Sequence, residues 1–86
     1  MIVVYHRNFK KMLQKLPVSV QEKFYSSLSI FVKNSHHVIL GNHALSGEWA
    51  TCRSINITGD IRAVYKERDG GVIQFVTVGS HSELYS

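Results

Sequence analysis

The segment IRAVYKERDGGVIQFVTV, residues 61–78, decides the fold class of this 86-residue chain. Two runs rich in β-branched and aromatic residues, at 61–67 and 72–78, flank the turn sequence RDGG at 68–71. Runs of this composition are typical of β-strands, and a glycine-rich turn between them is typical of a hairpin. The segment therefore predicts two antiparallel strands joined by a tight turn.

A third strand precedes this hairpin. The sequence WATCRSINI at 49–57 alternates between two sets of side chains, which predicts a strand with Arg53 on one face and Asn56 on the other. The sequence TGD at 58–60 has the composition of a tight turn that leads into the next strand. Together the three strands predict an antiparallel meander.

The chain begins with a strand and a helix. IVVYH at 2–6 is a short β-branched run, which predicts a strand. Apolar residues of the segment 9–16 then recur at helical spacing, and Pro17 is predicted to end this first helix because proline cannot continue it.

A second helix is predicted directly after the proline. Ser19 and Glu22 have the spacing of a capping box, and apolar residues keep helical spacing from there to about Asn34. Residues 34–49 lack a periodic pattern and contain two glycines, so they are predicted to form a long loop.

This order of elements predicts a single α+β domain over residues 1–86. An N-terminal strand and a two-helix hairpin precede the three-stranded meander, so the helices should pack on one face of a small twisted sheet. A chain of this length has room for one core and not for two.

Charge and composition indicate a cytoplasmic protein that binds polyanions. Net charge is +4, and residues 1–33 carry six cations against one anion. Such a basic segment attracts nucleic acid, and Lys10 and Lys11 are candidate RNA contacts, although lysines also serve to solubilise a helix face. The single Cys52 excludes an internal disulfide, and the N-terminal charges follow the apolar residues, the reverse of a signal peptide. No apolar run approaches the length of a membrane span, so no membrane association is expected.

Side chains that could carry chemistry are dispersed over the second half of the chain. Histidine can act as acid or base near neutral pH, and arginine can bind phosphate with two parallel hydrogen bonds. In a meander such residues can line one sheet face, and this set suits metal-free cleavage of RNA, although each member also has a structural interpretation. A metal site is not expected, because the adjacent histidines 36 and 37 diverge on most backbones. The candidates are His43, Arg53, Asn56, Asp60, Arg62, His81 and Tyr85.

The stretches NHALSGEW, CRSINITGDIRAVYK and IQFVTVGSHSELY, which lie between residues 42 and 85, resemble the C-terminal half of toxins of the RelE/ParE superfamily. The resemblance is closest to the YafQ-like branch of RelE, and its most specific part is GSHSELY at 79–85. It implies a cytoplasmic toxin of a type II toxin–antitoxin pair with the RelE-like fold. It further implies an mRNA interferase that cuts mRNA in the ribosomal A site without metal or cofactor. A tightly bound antitoxin, in a heterotetramer or a larger complex, would neutralise it.

The resemblance also implies roles for individual residues. His81 would donate a proton to the leaving 5′-oxygen, and Asp60 or His43 would act as general base or orient the reactants. Arg53 and Arg62 would hold phosphate, and Tyr85 would help to position the scissile base.

Two positions depart from the family pattern. Asn56 stands where the family has a second histidine, and an amide cannot take up a proton near pH 7. Ile61 stands where an aromatic residue often follows the turn aspartate. Two alternatives therefore stay open on the same fold: a ParE-like inhibitor of DNA gyrase, and a catalytically weak relative that binds its antitoxin.

Overall fold

A computed structural model describes residues 1–85, and its architecture confirms the predicted α+β class. Along the chain, two helices separate the first strand from the other four strands of a five-stranded sheet. A short third helix ends the described chain. The elements are β1 (Ile2–Tyr5), α1 (Phe9–Gln14), α2 (Val18–Lys33), β2 (His43–Ala44), β3 (Arg53–Asn56), β4 (Ile61–Arg68), β5 (Val72–Ser80) and α3 (His81–Tyr85).

The predicted meander forms the centre of the sheet. The strand order is β1-β5-β4-β3-β2, and all neighbours are antiparallel except β1, which pairs in parallel with β5. A register shift between Val64 and Tyr65 marks a β-bulge in the central hairpin. The sequence predicted β3, β4 and β5, but the parallel pairing of β1 with β5 is a long-range contact that no local pattern indicates.

Aromatic packing holds α1 and α2 against one face of the sheet. Phe75 of β5 is completely buried, and its ring lies 5.4 Å from that of Phe24 and 5.7 Å from that of Phe31, both of which belong to α2. Phe9 of α1 and Tyr65 of β4 also contact it. Such ring pairs add stabilisation beyond the burial of their area, so this cluster fixes the helices on the sheet.

The predicted capping box at the start of α2 is wrong. The helix begins at Val18 after Pro17, and within the described residues no side chain caps its first turn. Ser19 therefore lies inside the helix. The amide of Gln21 instead donates to the carbonyl of Leu16, at 2.8 Å, and so ties α2 to the end of α1. Pro17 is the N-cap residue, and its carbonyl accepts the N–H groups of Val20 and Gln21, so the helix starts at the next residue.

Residues 34–57 differ from the sequence prediction. The predicted strand over 49–57 is shorter, because β3 begins only at Arg53, and Trp49 belongs to a 3₁₀ turn at 47–49. The predicted loop over 34–49 contains another 3₁₀ turn at 38–40 and the two-residue strand β2, which pairs with β3. Among the described residues, no helix has both the length and the apolar character that crossing a membrane would require.

Candidate active site

Two chain segments that are far apart in sequence line one open cleft of about 400 Å³. The cleft contains three of the seven dispersed residues singled out from the sequence, namely His43, His81 and Tyr85. The other lining residues are Leu45, Ser46, Gly47, Glu48, Trp49 and Leu84. The sheet thus brings two exposed histidines, which are 38 positions apart in the chain, into a common space.

Strand β2 positions His43. This residue pairs with Ser54 of β3, and Ser54 alternates with the core residue Ile55, so His43 lies on the side of the sheet away from α2. Its Nδ1 atom lies 2.9 Å from the carbonyl oxygen of Gly41. Because a carbonyl oxygen only accepts, Nδ1 must carry the proton in this contact. The neutral ring therefore presents Nε2 as an acceptor, the form that a general base requires.

Helix α3 positions His81. The helix was not predicted from the sequence, yet its start is a capping box of Ser80 and Glu83. The N–H of Glu83 donates to Oγ of Ser80 at 3.2 Å, and the N–H of Ser80 donates to the carboxylate of Glu83 at 3.0 Å. The hydrogen bond from the backbone of Ser80 lowers the pKa of the Glu83 carboxyl most, and the bond with its side chain lowers this pKa further. The S-x-x-E spacing at 80–83 is the signal in the sequence that could have predicted this helix.

Tyr85 packs against His81 and is itself anchored. The two rings meet edge to face with centroids 4.7 Å apart. The hydroxyl of Tyr85 donates to Oγ of the buried Ser54 at 2.9 Å. The indole N–H of Trp49 also donates to the carbonyl of Leu84 at 3.0 Å. Ser54 and Trp49 are thus two contributors to this site that the sequence reasoning missed.

Asn42, the residue before His43, organises the loop that leads into the cleft. Its amide nitrogen donates to the carbonyl of Ser35 at 2.8 Å and to the hydroxyl of Tyr65 at 2.7 Å. Its amide oxygen accepts from Nε of Arg53 at 2.8 Å. Burial raises the pKa of Tyr65, which keeps that hydroxyl protonated. This network ties the loop to β3 and β4.

The structure does not bring Arg53 to the cleft. Arg53 of β3 pairs with Tyr65 of β4, and paired residues point to the same face of a sheet. It therefore lies on the same side of the sheet as Tyr65, which packs against α2 through Phe31.

Asp60 and Arg62 lie at the turn beside the first residue of α3. The carbonyl of Asp60 accepts the N–H of His81 at 2.9 Å, and its carboxylate is exposed. The guanidinium of Arg62 folds back over the turn and donates to the carbonyls of Thr58, Gly59 and Ile61. Neither residue lines the cleft.

Asn56, Lys10 and Lys11 also lie outside the cleft. The Asn56 side chain abuts Gly41, whose φ of +53° is left-handed, and it lines a second cavity next to α2. Lys10 and Lys11 are exposed on α1, where the Lys10 ammonium lies 4.9 Å from the ring centre of Tyr5. Across residues 1–85, no three side chains of His, Cys, Asp or Glu come together as a metal site would require.

The sequence profile of YafQ, a bacterial toxin of type II toxin–antitoxin systems, matches residues 1–86, the whole of the chain. No curated protein matches the chain in sequence.

Solved structures share the fold over almost the whole chain. YafQ from E. coli superimposes with a TM-score of 0.80 at 18% identity, covering 98% of this chain and 97% of that one. The same protein in the E. coli DinJ–YafQ toxin–antitoxin complex gives 0.77 at 19% identity, covering 98% and 96%. A toxin from Helicobacter pylori gives 0.74 at 27% identity and 99% of both chains. The archaeal RelE–RelB complex from Pyrococcus horikoshii gives 0.74 at 20% identity and 92% of both.

Proposed function

This chain belongs to the YafQ family of bacterial type II toxins, and we propose that it is an endoribonuclease that cleaves messenger RNA in the ribosomal A site by metal-independent acid–base catalysis. The observation that carries the proposal is the cleft with its two exposed histidines, one in the segment 43–49 and one at the start of α3. A pair of imidazoles can supply the base and the acid that transfer of a phosphoryl group between two oxygens requires.

In the proposed reaction His43 is the general base. Nε2 of His43 takes the proton of the ribose 2′-hydroxyl, and the resulting oxygen attacks the adjacent phosphorus to form a cyclic phosphate. The bond to Gly41 supports this assignment, because it holds the proton on Nδ1 and leaves Nε2 free to accept. Asp60 is exposed, and its backbone carbonyl accepts the N–H of His81, so its carboxylate is assigned to orienting the reactants.

His81 is the general acid. It gives its proton to the 5′-oxygen as the bond between that oxygen and phosphorus breaks, so each histidine ends in the protonation state from which the other began. His81 is the first residue of α3, and its ring meets the Tyr85 ring edge to face. This contact supports a fixed orientation of the His81 ring. The half-buried ring of Tyr85 lines the cleft and is also suited to contact a base beside the scissile phosphate.

Arg62 and Asn56 are assigned to contacts with the RNA backbone outside the cleft. Arg62 uses three of its five N–H groups on the turn, which leaves the others for a phosphate oxygen. Arg53 is assigned to holding the loop through Asn42, and the exposed Lys10 and Lys11 to ribosomal RNA.

A cognate antitoxin is the proposed partner. Relatives of the same fold were solved as complexes with DinJ and with RelB. We expect the antitoxin to bind this chain tightly and to stop cleavage, and we place the toxin, its antitoxin and the ribosome in the cytoplasm.

The test is inducible expression followed by mapping of mRNA 5′ ends, with His81→Ala compared against the native chain. We expect the native chain to produce new ends within coding regions and His81→Ala to produce none. His36→Ala is the matched control, because His36 is exposed and lies outside the cleft. Thermal melting and antitoxin binding verify that both variants are folded.

Two results would contradict the proposal. New ends at native levels in His81→Ala would exclude the acid role. Growth arrest by the native chain with intact mRNA and relaxed plasmid DNA would identify the gyrase inhibitor instead.

A further inference from the structure

Helix α3 is too short to hold its own position. It has five residues, and isolated helices of that length are unstable in water because nucleation is costly. The capping box of Ser80 and Glu83 is internal to the segment 80–83, so it shapes the first turn without fixing the helix to the rest of the protein. The place of His81 therefore depends on the packing and the hydrogen bonds that connect α3 to other elements.

Three such bonds are present among the described residues. At the first residue of the helix, the backbone N–H of His81 donates to the carbonyl of Asp60. At the other end, the Tyr85 hydroxyl donates to Ser54, and the Trp49 indole N–H donates to the carbonyl of Leu84. The last carbonyls of a helix have no partner within it, so the indole satisfies an acceptor that would otherwise need water.

The bond from Trp49 differs from the other two in what it connects. Trp49 and His43 belong to one of the two segments that line the cleft, and Leu84 and His81 belong to the other. Trp49 is half-buried, and its donor reaches Leu84 across 35 positions of sequence. It is the described side chain that joins these two segments by a hydrogen bond.

We propose that Trp49 is a positioning residue, whose indole N–H holds α3 in place and so sets His81 relative to His43. This proposal rests on the proposed function. Loss of the N–H leaves the bond between Tyr85 and Ser54 as the remaining hydrogen bond described at the C-terminal end of α3. This end is then held less firmly, and His81 samples positions from which it cannot reach the leaving oxygen. Misplacement of a catalytic group by about 1 Å can cost about 100-fold in rate, so loss of one tether is expected to cost roughly 10-fold to 100-fold.

The test removes the N–H and retains an apolar ring. Trp49→Phe is the first variant. Trp49 is the only tryptophan in the chain, so replacement of tryptophan by 3-benzothienylalanine changes this one N–H to sulfur with nearly the same shape and serves as the second variant if the first does not fold. Tyr25→Phe is the matched control, because Tyr25 is exposed on α2 and does not line the cleft.

Two readouts separate a positioning role from a merely structural one. Kinetics of mRNA cleavage on purified ribosomes should show kcat reduced 10-fold to 100-fold with KM within about twofold of native. Amide hydrogen exchange by NMR should show faster exchange for residues 83–85, and the ring protons of His81 should lose the shift caused by Tyr85, while exchange in β4 and β5 stays native.

Three outcomes would overturn the proposal. Unchanged exchange in α3 together with native kcat would show that the bond is dispensable. A lower kcat with native exchange in α3 would place Trp49 in direct contact with the reacting groups. A higher KM with native kcat would make the indole an RNA-binding surface. If the native chain does not cleave mRNA, the proposed function fails, and the exchange data alone still decide whether Trp49 holds α3.

Discussion

Replacement of Gly41 by alanine tests the geometry that supports His43. Gly41 has φ +53° and ψ +36°, a left-handed conformation that side chains disfavour. A Cβ atom at this position would also overlap the amide nitrogen of Asn56. The carbonyl of the same residue accepts Nδ1–H of His43, so displacement of Gly41 also moves the proposed base.

The expected loss of stability has two parts. Alanine in the left-handed region costs about 1–2 kcal/mol, and the lower entropy of its unfolded state offsets about 0.4–1 kcal/mol of this. The displaced Asn56 side chain adds about 0.5–1.5 kcal/mol for leaving its rotamer. Gly70 isolates the first part, because its φ is +76° and no described atom lies within 4 Å of a Cβ built there. Gly41→Ala should therefore be about 1 kcal/mol less stable than Gly70→Ala.

The assay is thermal unfolding of both variants, of Asn56→Ala, and of the double variant Gly41→Ala with Asn56→Ala. A difference of about 1 kcal/mol corresponds to about 4–8 °C in Tm for a domain of this size. The double variant should recover the part due to Asn56, which a double-mutant cycle measures. Equal Tm values for Gly41→Ala and Gly70→Ala would refute the close contact. Gly41→Ala should also cleave mRNA more slowly, whereas Gly70→Ala should not.

Three further predictions concern the core, the α3 cap and the basic face. Phe75→Ala should destabilise the domain by about 3–5 kcal/mol in urea unfolding, because Phe75 is completely buried among aromatic rings. Val38→Ala, at a side chain 90% exposed, should cost under about 0.5 kcal/mol. Equal costs would contradict the assigned core. Hydrogen bonds from Ser80 lower the pKa of Glu83, so the stabilisation by the cap is fully present above the ordinary glutamate pKa of about 4.3 and is lost as pH falls through the lower pKa of the folded protein. Hydrogen exchange of the α3 amides should become faster as pH falls through that lower pKa. Glu83→Gln should remove this pH dependence. Lys11→Ala should weaken ribosome binding and reduce the slope of log affinity against log salt by about 0.7–0.9, whereas an unchanged slope would assign this lysine to solubility alone.

Part of the candidate site could be predicted from the sequence, because His43, His81 and Tyr85 belong to motifs that carry the family resemblance. The cleft contains all three. Their catalytic and RNA-binding roles stay predictions. Trp49 and Ser54 were missed as contributors because their contacts, to Leu84 and Tyr85, join positions more than 30 residues apart.

The two S-x-x-E sequences show where local reasoning fails. Ser19 and Glu22 share this spacing with Ser80 and Glu83, yet only the second pair forms a capping box. Pro17 already starts α2 at Val18, so the first serine falls inside the helix. The same spacing has a different outcome because the neighbouring backbone decides which residue is the helix cap.

The sequence by itself determined the strands of the meander, the two helices and the apolar face of each, because alternation, helical spacing and turn residues act within a few positions of the chain. Only the tertiary structure decided that β1 pairs in parallel with β5, that Arg53 lies on the side of the helices, and that the segments around His43 and His81 share one cleft. These are contacts between residues distant in sequence. They follow from the order in which the strands pair and from the hydrogen bonds that hold α3, and no local sequence pattern indicates either.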